Sequence, residues 1–339
     1  MRVNEGSVSA PGKVVLGGEY AVLHGAPAIV ASVNRRAIVS AEAIPGSTLE
    51  LSAPGFVDSR WRFRSQTDGR IAWLDELPDA SLFSLFESVW QLAAERPPGG
   101  VRLTLDTRQF RDAASGSKLG LGSSAALAVA LSAWLAPGGR NALLSDALDA
   151  HRIFQGGEGS GVDIACAVHG GVIAYYRDNE LCESLAWPQG LQVVLLWSGT
   201  PSATPDRIKR LQARLGDPQR HASLELLCDA SRDLLACWRR GDSRALLAQF
   251  ARYSTTLHRF DRDQGLGIYS AGHAELRAAA EDFAVVYKPC GAGGGDTGIA
   301  LATDAAALET FAVAARHHGF VTLDVRLGDP GVTLDGRQT

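Results

Sequence analysis

Apolar residues fall in short β-branched runs near the start of this chain, in one Ala/Leu block mid-chain, and in strand-like and helical stretches towards its end. Ala28 to Val33 and Ala37 to Ala43 flank the basic pair Arg35-Arg36, and Val101 to Leu105 alternates apolar with polar; all three predict strands. Between Gly122 and Pro137, Ser-Ser-Ala-Ala-Leu-Ala-Val-Ala-Leu-Ser-Ala-Trp-Leu-Ala predicts a buried helix, opened by serines able to cap it and closed by proline. After polar Arg177 to Glu183, Leu191 to Trp197 predicts a buried strand, followed by helices near His221 to Arg239 and Ser243 to Arg259. Then come a strand at Phe283 to Tyr287, a glycine loop, a strand at Ile299 to Ala302, a helix from about Thr303 to His318 stopped by Gly319, and a strand at Val321 to Leu327.

That order in the second half, strand, helices, strand, strand, helix, strand, resembles a split β-α-β ferredoxin-like layer, with a domain boundary expected near residue 185. The length of 339 residues and 46% hydrophobic content suit two domains with a substantial core. Thirty-three Lys plus Arg against 37 Asp plus Glu leave a net charge of −4, which disfavours a nucleic-acid partner. Five cysteines with no Cys-x-x-Cys pair make neither a disulfide framework nor a zinc site, and suit a reducing, cytoplasmic setting. Met1 to Gly6 lacks the apolar core of a signal peptide, and the longest apolar run, Ala125 to Leu131, is too short for a membrane span, so no membrane association is expected. The 37 glycines are clustered, which directs attention to loops.

Three segments carry candidate chemistry. Lys118-Leu119-Gly120-Leu121-Gly122-Ser123-Ser124-Ala125 runs straight into the Ala/Leu helix. A helix start leaves backbone N–H groups free and carries partial positive charge, so an anion is stabilised there. Glycines allow close backbone approach, the serine hydroxyls can reach phosphate oxygens or a magnesium ion, and Lys118 adds a point charge. The alternative for a bare Gly-x-Gly is a tight turn with a serine cap. The segment is neither a P-loop nor a dinucleotide fingerprint. The second segment, Lys288-Pro289-Cys290-Gly291-Ala292-Gly293-Gly294-Gly295-Asp296, has more glycine than a hairpin requires, so it suits close approach to an anion; a flexible surface loop is the alternative. No His or Asn partner lies near Cys290 in sequence, which favours packing over nucleophilic chemistry. The third, Ser9-Ala10-Pro11-Gly12-Lys13-Val14-Val15-Leu16-Gly17-Gly18-Glu19-Tyr20, reads alone as a turn with a solvated lysine.

Together, in order and spacing, these segments closely resemble the three motifs of the GHMP kinase superfamily, the small-molecule kinases named for galactokinase, homoserine kinase, mevalonate kinase and phosphomevalonate kinase. The lysine before the glycine loop and the acidic end of the last motif lean towards the phosphomevalonate kinase branch, as do Gly159-Ser160-Gly161-Val162-Asp163-Ile164-Ala165 and Trp197-Ser198-Gly199-Thr200-Pro201-Ser202-Ala203-Thr204. The resemblance implies a two-domain α+β fold. Residues 1–185 would form an N-terminal domain like ribosomal protein S5 domain 2, holding the ATP phosphate loop, and residues 186–339 a ferredoxin-like C-terminal domain.

It also implies roles by position. Asp163 would be the catalytic carboxylate, Lys13 would stand near the reacting groups, and Lys118 would act on the transferred phosphoryl group. Gly120, Leu121, Gly122, Ser123, Ser124 and Ala125 would hold ATP, with Ser123 or Ser124 on Mg2+. Ser160, Gly161, Gly291, Ala292, Gly293 and Gly294 would line the substrate site. Two positions depart from the family: Arg152 stands where mevalonate kinases carry a magnesium-binding Glu, and Cys290 replaces the usual Ser of the phosphomevalonate kinase motif. The implied activity is transfer of the ATP γ-phosphoryl group to (R)-5-phosphomevalonate. Lys13, Lys118 and Lys288, with Arg35, Arg36 or Arg207, are candidates for a basic acceptor pocket. The alternatives are a mevalonate kinase or another hydroxyl-directed GHMP kinase, and a non-catalytic metabolite-binding protein; retention of Lys13, Lys118, Ser123, Ser124 and Asp163 argues against the last. Oligomeric state stays open.

Overall fold

A computed structural model describes residues 6–339 except Ala80, Pro137, Glu158, Ala203, Gly336 and Thr339. Its first part runs β1 (Gly6–Gly17), β2 (Ala28–Ala43), β3 (Leu49–Ala53), β4 (Val57–Ser65), β5 (Ile71–Trp73), α1 (Ser84–Leu92), β6 (Val101–Asp106), α2 (Ser123–Leu135), α3 (Arg140–Phe154), α4 (Val162–His169), β7 (Val172–Tyr176) and β8 (Leu181–Leu185). The second runs β9 (Gln192–Trp197), α5 (Thr204–Gln212), α6 (Pro218–Arg240), α7 (Ser243–Gln264), α8 (His273–Ala280), β10 (Val286–Pro289), β11 (Thr297–Ala302), α9 (Ala305–Ala315) and β12 (Val321–Leu323), then β13 (Thr333–Leu334) and β14 (Arg337–Gln338).

The larger sheet has the order β14-β13-β1-β2-β6-β3-β4-β5, with β7 joining β2 to β8. The smaller has the order β10-β11-β9-β12, antiparallel throughout. Numbered within the second part, that order is 2-3-1-4, which is the ferredoxin-like arrangement expected. The chain end returns to the larger sheet, where β13 pairs with β1 through Val8 and Ser9.

Both central strands of the larger sheet are covered on two faces, which explains their continuous apolar runs. In β1, Val8 and Ala10 belong to the core under α1 to α4, whereas Val14 and Leu16 belong to the core shared with α6 and α7. The switch coincides with a register shift between Pro11 and Gly12, where Asn34 and Arg35 of β2 have no partner on β1. Arg35-Arg36 does not separate two strands: β2 is a single 16-residue strand whose first half pairs with β7 and whose second half pairs with β6.

The α2 helix is buried on nearly every side, as its composition predicts. Helices α6 and α7 each begin at an aspartate whose side chain accepts two backbone N–H bonds, Asp217 and Asp242, and each ends at a left-handed glycine, Gly241 and Gly265. Three expected elements shift. Ala284 takes a left-handed turn (φ 54°), so the strand expected from Phe283 starts at Val286. The last expected strand stops at Leu323. The serines do not cap α2; Gly122, left-handed at φ 81°, is its cap residue, and Ser123 and Ser124 open the helix.

Candidate active site

The phosphate loop is anchored by its apolar residues. Leu119 and Leu121 are buried, the Leu119 N–H donates to the Phe110 carbonyl at 3.0 Å, and Lys118 bridges to Arg111 through the backbone. Gly120 has a left-handed φ of 73°, and a Cβ there would lie 2.4 Å from Asp296 Cβ, so only glycine lets the two glycine loops touch. With Gly122 as its cap residue, α2 starts without a side-chain cap, and its first turn borders the cleft through Ser123 and Ser124.

Lys13 is tied to this loop, its N–H donating to the Leu121 carbonyl at 2.8 Å. Its stem passes Gly122, where an added Cβ would lie 3.1 Å from Lys13 Cγ, and an added Cβ on Gly291 would lie 3.8 Å from Lys13 Nζ. A segment that reads as a turn is therefore a strand whose register against β2 shifts just before the lysine, and the lysine lies between both glycine loops. Asp163 occupies the second position of α4, after the left-handed Gly161, whose missing Cβ makes room for Leu148 and the Tyr175 hydroxyl. Beneath it lies Cys166, whose thiol is pushed up by burial, with Lys13 pulling it down and Asp163 adding to the rise. Lys13 and Asp163 line the same cleft.

The opposite wall is the Gly291–Asp296 loop. The Tyr20 hydroxyl donates to the Ala292 carbonyl at 2.7 Å, and the Ser202 hydroxyl to the Gly293 carbonyl at 2.6 Å. Asp296 adopts a left-handed φ of 53°, uncommon for a residue with a side chain. Its carboxyl is pushed up by burial, against the opposing effects of the Ser202 N–H bond, Lys13, Arg207 and Lys118. It completes the ring of charge around the cleft. Only its place at the end of the motif marks it in the sequence.

A cleft of about 400 Å³ gathers Lys13, Lys118, Gly120, Leu121, Gly122, Ser123, Ser124, Ser160, Asp163, Gly291, Ala292 and Asp296. Gly161 does not border it and packs on Leu148 and the Tyr175 hydroxyl. Beyond the phosphate loop lies a second, apolar pocket of about 150 Å³ under Phe83, Phe86, Leu105 and Leu127; it shares Phe110, Lys118, Ser123, Ser124 and Phe154 with the cleft. Several expected residues fall elsewhere. Ala125 is buried inside α2. Gly293 packs on Ile268, and Gly294 packs on the Arg207 guanidinium while donating its N–H to the Ile268 carbonyl at 2.7 Å, so both brace the loop from behind.

The expected basic pocket is also smaller. Lys288 is fully buried and paired with Glu19, a residue the sequence reading passed over. Arg36 pairs with Asp329 and Arg35 donates to the Asp324 carbonyl. Arg207, itself buried, donates to the Leu266 carbonyl at 3.2 Å and to Ser202 Oγ at 2.8 Å. Arg152 pairs with Glu180 at 2.9 Å and Asp149 at 3.3 Å. Cys290 borders the cleft, but burial pushes its thiol up to about 11, which fits packing and not nucleophilic chemistry. Among the described residues no group of three or more His, Cys, Asp or Glu could hold a metal, and no helix is long and apolar enough to cross a membrane.

Residues 84–171 match the family model described as the GHMP kinases N terminal domain. Over 343 aligned residues the chain is 32% identical to phosphomevalonate kinase of Streptomyces sp. (strain CL190), covering 86% of this chain and 88% of that one. It is 27% identical to mevalonate kinase of Bos taurus over 384 residues, covering 96% and 94%. The structure of Streptococcus pneumoniae phosphomevalonate kinase in complex with phosphomevalonate and AMPPNP shares the fold, with a TM-score of 0.74 at 19% identity and coverage of 95% and 99%. The chain belongs to the GHMP kinase family. Its members are ATP-dependent phosphotransferases of two-domain α+β fold, and this chain is such an enzyme.

Proposed function

We propose that this kinase transfers the γ-phosphoryl group of ATP to the phosphate of (R)-5-phosphomevalonate, giving 5-diphosphomevalonate in the mevalonate route to isoprenoids. The observation that carries the reading is the meeting of the Lys118–Ser124 loop and the Gly291–Asp296 loop across one cleft that also holds Lys13 and Asp163. The 32% identity to a phosphomevalonate kinase supports the choice of acceptor. Lobes of residues 1–185 and 186–339 are the division we propose, with β13 and β14 returning to the first.

In this reading the nucleobase enters the apolar pocket and the phosphates lie over the start of α2. Lys118, exposed at the junction of the two cavities, neutralises charge on the group in transit, and Lys13 does so between donor and acceptor. A phosphate monoester with its second pKa near 6 is largely dianionic at neutral pH. Asp163 therefore has little proton to remove and acts by orienting the acceptor against Lys13. Mg2+ arriving with the nucleotide suits this site: a hard ion that keeps water and phosphate ligands needs few from the protein. Ser123 or Ser124 would supply a hydroxyl, and the ion would offset phosphate charge.

The test is the chemical identity of the product. With ATP and 5-phosphomevalonate, 31P nuclear magnetic resonance should show the paired resonances of a diphosphate ester growing with those of ADP. Turnover of mevalonate to a monophosphate, with 5-phosphomevalonate inert, would replace this reading with a hydroxyl-directed one.

A further inference from the structure

We propose that His151 is a positioning residue for the phosphate loop, holding the Ser124 hydroxyl so that its remaining bonding capacity faces the cleft. The proposal rests on the reading of that loop as the nucleotide phosphate site. His151 lies in the last turn of α3 and is 2% exposed; its Nε2 stands 3.3 Å from Ser124 Oγ. On its other side the ring packs against Phe154, with centroids 5.8 Å apart. Ser124 and Phe154 each border both the cleft and the apolar pocket. The imidazole thus sits directly behind the point where the two cavities join.

Its surroundings are the apolar side of α3, with Leu144, Ala147 and Leu148 in the same core, where an aliphatic side chain would pack with no polar group to satisfy. The imidazole there is explained by its partner. A serine hydroxyl has one proton and two lone pairs and otherwise rotates among staggered positions. The contact with Nε2 uses one of these and fixes the rotor. If Nε2 accepts, the oxygen lone pairs are presented to a cation on the phosphates. If Nε2–H donates, the hydroxyl proton is presented to a phosphate oxygen. Both arrangements order the hydroxyl before the nucleotide arrives, as partners behind a ligating group do.

The experiment is calorimetric titration of ADP, with Mg2+ and with chelator, into the wild-type protein, Ser124→Ala, His151→Leu, His151→Gln and the Ser124→Ala/His151→Leu double variant. Each of Ser124→Ala and His151→Leu should weaken binding by about fivefold, the size of one hydrogen bond. The double variant should be no weaker than the weaker single, because both changes remove the same ordering. His151→Gln, which keeps a polar group able to bond the hydroxyl, should recover most of the loss, and His151→Phe, which keeps a ring but no nitrogen, replaces His151→Leu if that variant fails to fold. Loss confined to Mg2+ would assign the oxygen to the cation; loss in both conditions would assign the proton to phosphate. Additive losses, or wild-type affinity in both His151 variants beside a weakened Ser124→Ala, would overturn the proposal. Absence of ADP binding to the wild type would overturn the phosphate-loop reading itself.

Discussion

Replacing Lys288 with methionine tests how the two walls of the cleft are locked together. Lys288, on β10 three residues before Gly291 of the glycine loop, pairs with Glu19 at the end of the first motif, and both side chains are 0% exposed. Lys288 Nζ also donates to the Val15 carbonyl at 3.3 Å, the Tyr253 hydroxyl donates to Glu19 Oε2 at 2.7 Å, and the Gly18 N–H donates to that hydroxyl at 2.8 Å. Methionine nearly matches the lysine stem in volume, so cavity terms are small and the change isolates the charge. Removing one partner of a buried pair costs about 3–5 kcal/mol, because the other is left uncompensated. At about 2 °C per kcal/mol for a chain of this size, the thermal midpoint should fall by roughly 6–10 °C. Adding Glu19→Gln to Lys288→Met should return most of that loss, since the amide keeps a partner for Tyr253 and no charge stays buried. Calorimetry on the four proteins of the cycle measures it. A fall of under about 1 °C for Lys288→Met, or a double variant less stable than Lys288→Met, would show that the buried pair does not lock the two walls.

Asp163→Asn should leave nucleotide affinity nearly intact and lower kcat about 100-fold, the lower end of the range for losing a positioned carboxylate; half-maximal activity in that variant would remove Asp163 from the site. Lys118→Met should lower kcat more than it raises the KM for ATP, because a contact formed mainly in the transition state acts on rate, and a change in KM alone would make Lys118 a ground-state binding group. His273 is buried, bonded to the Tyr287 hydroxyl at 2.7 Å and the Gly295 carbonyl at 3.1 Å, and burial lowers its pKa to about 4. Unfolded, it titrates near 6.5, so the unfolded state binds the extra proton and stability declines as pH falls from 6.5 to 4, by roughly 3 kcal/mol in all. Denaturation midpoints across that window should fall less steeply in His273→Gln than in the wild type, and equal slopes would contradict the assignment.

The parts of the fold legible in the sequence are those whose signal is local. The α2 helix announces itself by being apolar on every side behind a glycine pair, and the second lobe by runs of the right length in the right order. The first motif is not legible as a strand, because Pro11-Gly12 reads as a turn, whereas both residues pair with β2 and the irregularity falls on Asn34 and Arg35 of that strand. Helices α3 and α4 were missed: α3 mixes polar and apolar residues, and α4 is eight residues long behind a glycine. The serine cap was misjudged because propensity could not foresee that Gly122 would take a left-handed conformation. At the site, the motifs pointed to Lys13, Lys118 and Asp163, whereas Glu19 and His151 owe their positions to residues 269 and 27 apart in sequence, which no spacing rule connects.

In the proposed function the acceptor oxygen belongs to a phosphate. The decisive measurement is kcat/KM for 5-phosphomevalonate and for mevalonate at matched ATP and Mg2+, followed by coupled ADP release. If Lys13 meets the acceptor's phosphate, as proposed, that cation is left without its partner when mevalonate binds, so 5-phosphomevalonate should be favoured at least about tenfold. A preference for mevalonate would make the acceptor a hydroxyl and remove the phosphate from the proposed function.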